Sequence, residues 1–84
     1  MSMNRTIQRL NKVTDSLAKG YRQERYYRFN DIVHPDGLRQ LVLVHNNGNC
    51  ISIFTDYQRS RVRVWKNAKL IGSYDANGFA MCEP

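Results

Sequence analysis

The chain has 84 residues, enough for one domain and no second, and its 42 % hydrophobic fraction argues against an intrinsically disordered chain. Thirteen Lys and Arg against seven Asp and Glu leave a net charge of +6 and a pI near 9.8, a balance that bears on partners rather than on fold. The longest apolar run, Leu41–Val44, is far short of the ~20 residues that span a bilayer, and the opening Met1-Ser2-Met3-Asn4-Arg5 shows no secretory h-region, so the expectation is a cytoplasmic protein without membrane contact.

The first predicted element is a helix over residues 1–20. Met3, Ile7, Leu10, Thr14, Leu17 and Tyr21 recur at spacings of three and four and form one stripe. Ser2 or Asn4 would cap its start, and Gly20 is the expected stop. Arg5, Arg9, Lys12 and Lys19 fall within about 80° of one another on the opposite side of the wheel. Residues 1–28 hold seven Lys/Arg and two acids, so most of the excess charge lies there.

Past Gly20 the period changes toward two. Strands are predicted over Tyr26–Val33, Leu38–His45, Cys50–Asp56, Arg61–Lys66 and Lys69–Tyr74. His34-Pro35-Asp36-Gly37 reads as a type I turn, and a G1 bulge at Gly37 would exchange the faces of Tyr26–Phe29. Asn47-Gly48 reads as a two-residue hairpin loop, Tyr57–Ser60 as a four-residue loop and Asn67-Ala68 as a second two-residue loop. Residues 75–84 form a tail, in which Phe79–Cys82 would tuck back as a short strand or anchor. The expected fold class is α+β: an amphipathic helix packed on a curved antiparallel meander of five strands, with closure into a small barrel as one outcome.

These loops imply a register. Val42 opposes Ile53, Val44 opposes Ile51, Ile53 opposes Val64, Thr55 opposes Val62 and Val64 opposes Ile71. One face then holds Val42, Val44, Ile51, Ile53, Val62, Val64 and Ile71 and should receive the helix. The other holds Leu41, Leu43, His45, Cys50, Ser52, Phe54, Arg61, Arg63, Trp65, Leu70 and Tyr74. Guanidinium groups interleaved with aromatic rings are how single-stranded nucleic acids are held, by stacking and by phosphate contact.

The candidate binding residues are therefore Arg5, Arg9, Lys12 and Lys19 on the helix, Arg22 and Arg25 in the basic–aromatic stretch Tyr21–Phe29, and Phe54, Arg61, Arg63 and Trp65 on the sheet. The plainer readings are a solvated helix face, a helix-to-strand junction, and an outward strand face partly covered by the tail. An Arg-and-Trp surface with apolar neighbours also suits protein docking. The expected partners are thus nucleic acid or an acidic protein, and a homodimer would bury the same mixed face.

No cofactor is expected. His34, His45, Cys50 and Cys82 match a Cys₂His₂ set only by count, without the close pairs that zinc sites show. His45 opposite Cys50 would need an orienting group and an oxyanion hole to act as a catalytic pair, and nothing supplies them. The expectation is a small basic, non-enzymatic, nucleic-acid-binding or regulatory protein, with a protein-interaction module as the alternative.

Overall fold

Helix α1 occupies Ser2–Gln23 in the computed structural model, which describes residues 2–82 and the side chains of residues 5–82. The expected roles of Ser2, Met3 and Asn4 side chains lie outside the described residues. The helix does not stop at Gly20 but runs on to Gln23. Its end is closed by Arg25, which takes a left-handed φ of 74°. Tyr26 N–H donates to the Tyr21 carbonyl at 3.1 Å and Arg25 N–H to the Arg22 carbonyl at 3.0 Å, the paired bonds of a Schellman motif. The rings of Tyr21 and Tyr26 meet edge to face with centroids 5.4 Å apart, which supplies the apolar contact that such ends carry. The stop is set by that aromatic pair, five residues apart, and not by the glycine.

Five antiparallel strands follow in simple meander order: β1 Tyr27–Val33, β2 Arg39–Val44, β3 Cys50–Asp56, β4 Arg61–Lys66 and β5 Lys69–Asp75. Three of the chain reversals use one device. His34 N–H donates to the Leu38 carbonyl and Gly37 N–H to the His34 carbonyl; His45, Gly48 and Asn49 repeat the pattern, and Asp75, Gly78 and Phe79 repeat it again. The glycine stands at φ 90°, 94° and 86° in Gly37, Gly48 and Gly78 respectively. Each is a three-residue loop ending in a left-handed residue, the G1-bulge hairpin.

This device overturns the expected pairing of β2. With Asn46-Asn47-Gly48 as the loop, Leu41 opposes Ile53 and Leu43 opposes Ile51, while Val42 opposes Ser52 and Val44 opposes Cys50. A slip of one residue moves every side chain of a strand to the other face. Leu41 and Leu43 are therefore buried under the helix, and Val42 and Val44 lie on the far face. The four-residue loop at Tyr57–Ser60 stands as expected, with Ile53 opposite Val64, Phe54 opposite Arg63 and Thr55 opposite Val62.

A second departure comes in β5. Lys66 opposes Lys69 and Trp65 opposes Leu70 across the Asn67-Ala68 loop, but the register then shifts and Val64 opposes Gly72. Ile71 is the extra residue and stands 47 % exposed rather than in the core. Arg63 consequently opposes Ser73 and Arg61 opposes Asp75, and Tyr74 joins the helix side opposite Val62. The Tyr74 ring lies against Gly72, where an added Cβ would meet it at 3.1 Å.

The sheet stays open rather than closing into a barrel, with β1 and β5 as its two edges. The tail runs back along β5, with Ala80 bridged to Tyr74 and Met81 N–H donating to the Ser73 carbonyl at 2.7 Å. Edge strand β1 is broken by a bulge between Arg28 and Asn30, and the Asn30 side chain accepts the Asp31 N–H at 2.9 Å. A bulge and a self-capped amide are standard ways to blunt an edge.

The core lies between α1 and the sheet: Leu10 and Ala18 of the helix, Tyr26 beyond it, and Leu41, Leu43, Ile51, Ile53, Val62 and Val64. Two hydroxyls sit inside it, Thr14 and Thr55, both 0 % exposed. Thr14 donates back to the Leu10 carbonyl at 3.1 Å, and its oxygen lies 2.7 Å from that of Thr55. A hydroxyl has one proton, so Thr55 must be the donor to Thr14. Beside the middle of the helix Arg39 holds Asp31 through two bonds of 3.0 and 2.9 Å and reaches the Asn11 side-chain oxygen at 3.1 Å. The Tyr57 hydroxyl donates to the same Asn11 oxygen at 2.7 Å.

The direction of the threonine bond makes the two residues unequal. Thr14→Val strands the Thr55 hydroxyl in the core and should cost ~1–3 kcal/mol in urea unfolding. Thr55→Val leaves Thr14 still bonded to Leu10 and should cost clearly less, with the double valine variant milder than Thr14→Val alone. Equal losses for the two single variants would contradict this donor assignment. The Arg39 hydrogen bonds hold the Asp31 carboxyl below the ordinary carboxylate range. A depressed folded-state pKa stabilises above the unfolded value and is lost as pH falls through the folded one. Asp31→Asn should therefore lower stability at neutral pH and flatten its fall below about pH 4, read by unfolding at a series of pH values.

Candidate functional site on the open sheet face

The far face of the sheet can be read as cross-strand rows. One row runs Asn30, Val42, Ser52, Trp65, Leu70; the next runs Ile32, Gln40, Phe54, Arg63, Ser73; a third holds Asp56, Arg61 and Asp75. Trp65 and Phe54 thus sit on neighbouring rows and strands, and Arg63 is the direct partner of Phe54 and the strand neighbour, two residues on, of Trp65. Alternation along β4 produces this, since Arg61, Arg63 and Trp65 share one face while Val62 and Val64 fill the core.

Between these rows lies an open concavity of about 540 Å³. Its walls include Phe54, Trp65, Arg59, Arg61, Arg63 and Asp56. Phe54, Trp65, Arg61 and Arg63 are all half-buried, so their rings and stems form the floor instead of projecting into solvent. The three arginines face one acid there, and the lining carries a net positive charge. The arginines are not alike. Arg61 lies between Asp56 and Asp75 in its row, with its Nε 3.8 Å from Asp56. Cross-strand opposite charges stabilise a sheet. Arg59 bonds Asp56 at 3.3 Å, but its side chain is 67 % exposed and reaches over the rim. Asp56 also accepts the Arg59 N–H, at 3.1 Å, and so holds the Tyr57–Ser60 turn against β4.

Asn67 fixes the other end of the concavity. It adopts φ 55°, donates its N–H to the Cys50 carbonyl at 2.7 Å and accepts the Cys50 N–H on its side chain at 3.0 Å. These bonds carry the β3–β4 ladder one step past Lys66, beside Trp65.

Of the residues singled out by sequence, Phe54, Arg61, Arg63 and Trp65 meet in this one site. Arg5, Arg9, Lys12, Lys19, Arg22 and Arg25 do not; all are exposed, and the helix that carries five of them packs on the other face of the sheet. A smaller groove of about 450 Å³ lies on that side, where Arg9, Lys12 and Ser16 face Tyr74 and Asn77. Arg59 was not among the residues singled out. Its signal was present in the two-residue alternation Arg59, Arg61, Arg63, Trp65, which runs back from the strand into the turn.

The His45–Cys50 juxtaposition does not form, because Val44 is the residue opposite Cys50. His45 instead accepts the Asn47 N–H on Nδ1 at 3.0 Å, and its ring stands edge-on to Tyr26 at 5.1 Å. Among the described residues there is no cluster of three or more His, Cys, Asp or Glu placed to hold a metal ion. No helix of the described residues is long and apolar enough to cross a membrane. No family model, curated protein or solved structure matches the chain.

Trp65 is the single tryptophan and reports on the concavity directly. If the arginines set a positive local potential, the iodide-to-caesium quenching ratio of Trp65 should exceed that of free N-acetyltryptophanamide roughly twofold or more at low ionic strength, with the gap closing in salt. A ratio equal to that of the free compound would show that Asp56 and Asp75 neutralise the site.

Proposed function

We propose that the protein is a small non-enzymatic nucleic-acid-binding protein that takes single-stranded segments on its open sheet face. The observation that carries this reading is the concavity in which Trp65 and Phe54 lie beside Arg59 and Arg63. Trp65 and Phe54 present rings on which unstacked bases can lie, and each stacked base contributes ~1–3 kcal/mol. Arg63 and the largely exposed Arg59 take the phosphates, while the more buried Arg61 frames the floor. A duplex keeps its bases stacked and offers these rings nothing. The chemistry needs no cofactor. In this reading the protein works in the cytoplasm, where thiols such as Cys50 and Cys82 stay reduced, as a regulator that occupies exposed single strands.

A second reading rests on a different observation. The observed register places Val42 and Val44 on the far face, in one row with Ser52 and Trp65 and in another with Cys50, and leaves an aliphatic strip there. Such a strip with arginines at its side suits an acidic protein partner or a second copy of the chain.

Titration of Trp65 fluorescence with single-stranded oligonucleotides at low salt should give saturable quenching with Kd tighter than ~10⁻⁴ M, weakening log-linearly with salt. Trp65→Leu, followed by anisotropy of a labelled oligonucleotide, should weaken binding ~5–100-fold, and Arg63→Gln should reduce the salt slope by about one phosphate. Duplex bound as tightly as single strand, or no quenching at all, overturns the proposal. A partner retained by nuclease-treated protein on the Val42–Val44 strip, and lost with Val42→Asp, would favour the second reading.

A further inference from the structure

The helix carries a second cationic surface that faces away from the sheet. Leu10, Thr14 and Ala18 are its buried positions, and Arg5, Arg9, Lys12 and Lys19 centre on the diametrically opposite side of the wheel. Arg22 lies off this line, toward Arg28 and Asp31, and Asp15 is the one acid on the exposed side of α1 between Arg5 and Arg22. From Arg5 to Lys19 the stripe extends ~21 Å along the axis. No aromatic ring lies in it. The groove where Arg9 and Lys12 face Ser16 and Asn77 includes the ring of Tyr74. Such a surface offers phosphate contacts without base contacts, which fix a nucleic acid in place but read no sequence.

The two basic surfaces point in opposite directions, with the helix layer and the sheet layer between them. The shorter extents of the molecule are 26 and 23 Å. A short strand lying in the Trp65 concavity therefore cannot also lie on the Arg5–Lys19 stripe. At physiological salt the Debye length is about 8 Å, so two bound polyanions separated by both layers barely repel one another. Nothing in the charge arrangement disfavours double occupancy.

We infer that the protein bridges nucleic acid: one single-stranded segment sits on the sheet face while a second segment is held by its phosphates on the solvent face of α1. The inference rests on the proposed reading of the sheet face and adds to it a second, independent contact made by a single chain. Where the two segments belong to one nucleic-acid molecule, the second contact becomes a local event and the pair is held more tightly than either surface alone would hold it; separate strands are each held by their own surface.

The test is a co-capture assay. A biotinylated single-stranded oligonucleotide is immobilised with the full chain, and retention of a second, fluorescent oligonucleotide of unrelated sequence is measured. Sedimentation under the same conditions gives the mass of the carrier. Wild-type protein should retain the second strand as a single-chain species. Replacing Arg5, Arg9, Lys12 and Lys19 by Gln should cut retention at least tenfold, while Trp65 quenching by the first strand changes less than threefold. The preserved quenching also shows that the variant is folded. Normal quenching by wild type without co-capture overturns bridging and leaves the sheet-face reading intact. Co-capture that survives the four Gln replacements, or that occurs only in a two-chain species, also overturns it. Absence of quenching by any strand removes both readings together.

Discussion

Gly48 adopts a left-handed backbone at the third position of the β2–β3 loop, and the division of the molecule into two unlike faces depends on it. That conformation closes a three-residue loop between His45 and Asn49 and sets Leu41 and Leu43 against Ile53 and Ile51. A two-residue loop at the same place would turn β2 over. It would put two leucines beside Phe54 and Trp65 and leave two valines to cover the helix. Leucine fills the space under Leu10 and Ala18 more fully than valine, so core volume and turn geometry select the same register. Because Gly37 and Gly78 close their loops in the same way, one local rule governs three of the chain's reversals.

Everything proposed for the sheet face follows from having the helix on one side only. Helix α1 fills a single apolar face, and the threonine pair and the Asn11–Arg39–Tyr57 contacts hold it there with directional bonds. The remaining face is not apolar enough to demand a second layer and not polar enough to be an ordinary solvated surface. Trp65, Phe54, Val42 and Val44 are half-buried on it, beside arginines that are partly balanced by Asp56. Edge protection completes the arrangement. The tail bridges the end of β5 at Ser73 and Tyr74, and a bulge interrupts β1.

Much of this was readable before the fold was seen. Periodicity located the helix and all five strands within a few residues, because amphipathic stripes of period 3.6 and 2 are set by burial on one side. The Phe54–Arg63 pairing followed from the four-residue loop at Tyr57–Ser60. What failed was loop chemistry. Asn47-Gly48 satisfies both a two-residue and a three-residue hairpin, and a single copy does not distinguish them. The distinguishing pattern was the recurrence of Asp or Asn before Gly in Pro35-Asp36-Gly37, Asn46-Asn47-Gly48 and Ala76-Asn77-Gly78. The bulge at Ile71 had no comparable marker, since isoleucine reads as a core residue in any strand. Arg25 likewise carries no mark of a left-handed helix end; only the Tyr21–Tyr26 spacing hints at it. The charge of +6 proved to be spread over separated surfaces rather than gathered in one patch.

The central claim is that recognition belongs to the two outward faces and not to the sheet edges. Amide chemical-shift mapping of the ¹⁵N-labelled full chain with an oligothymidylate tests it most directly. The account predicts two separate sets of shifted amides, one over Ser52–Phe54 and Arg61–Lys66 and one along Arg5–Lys19, with β1 unchanged. Shifts confined to Tyr27–Val33, or no shifts at saturating oligonucleotide, would contradict it.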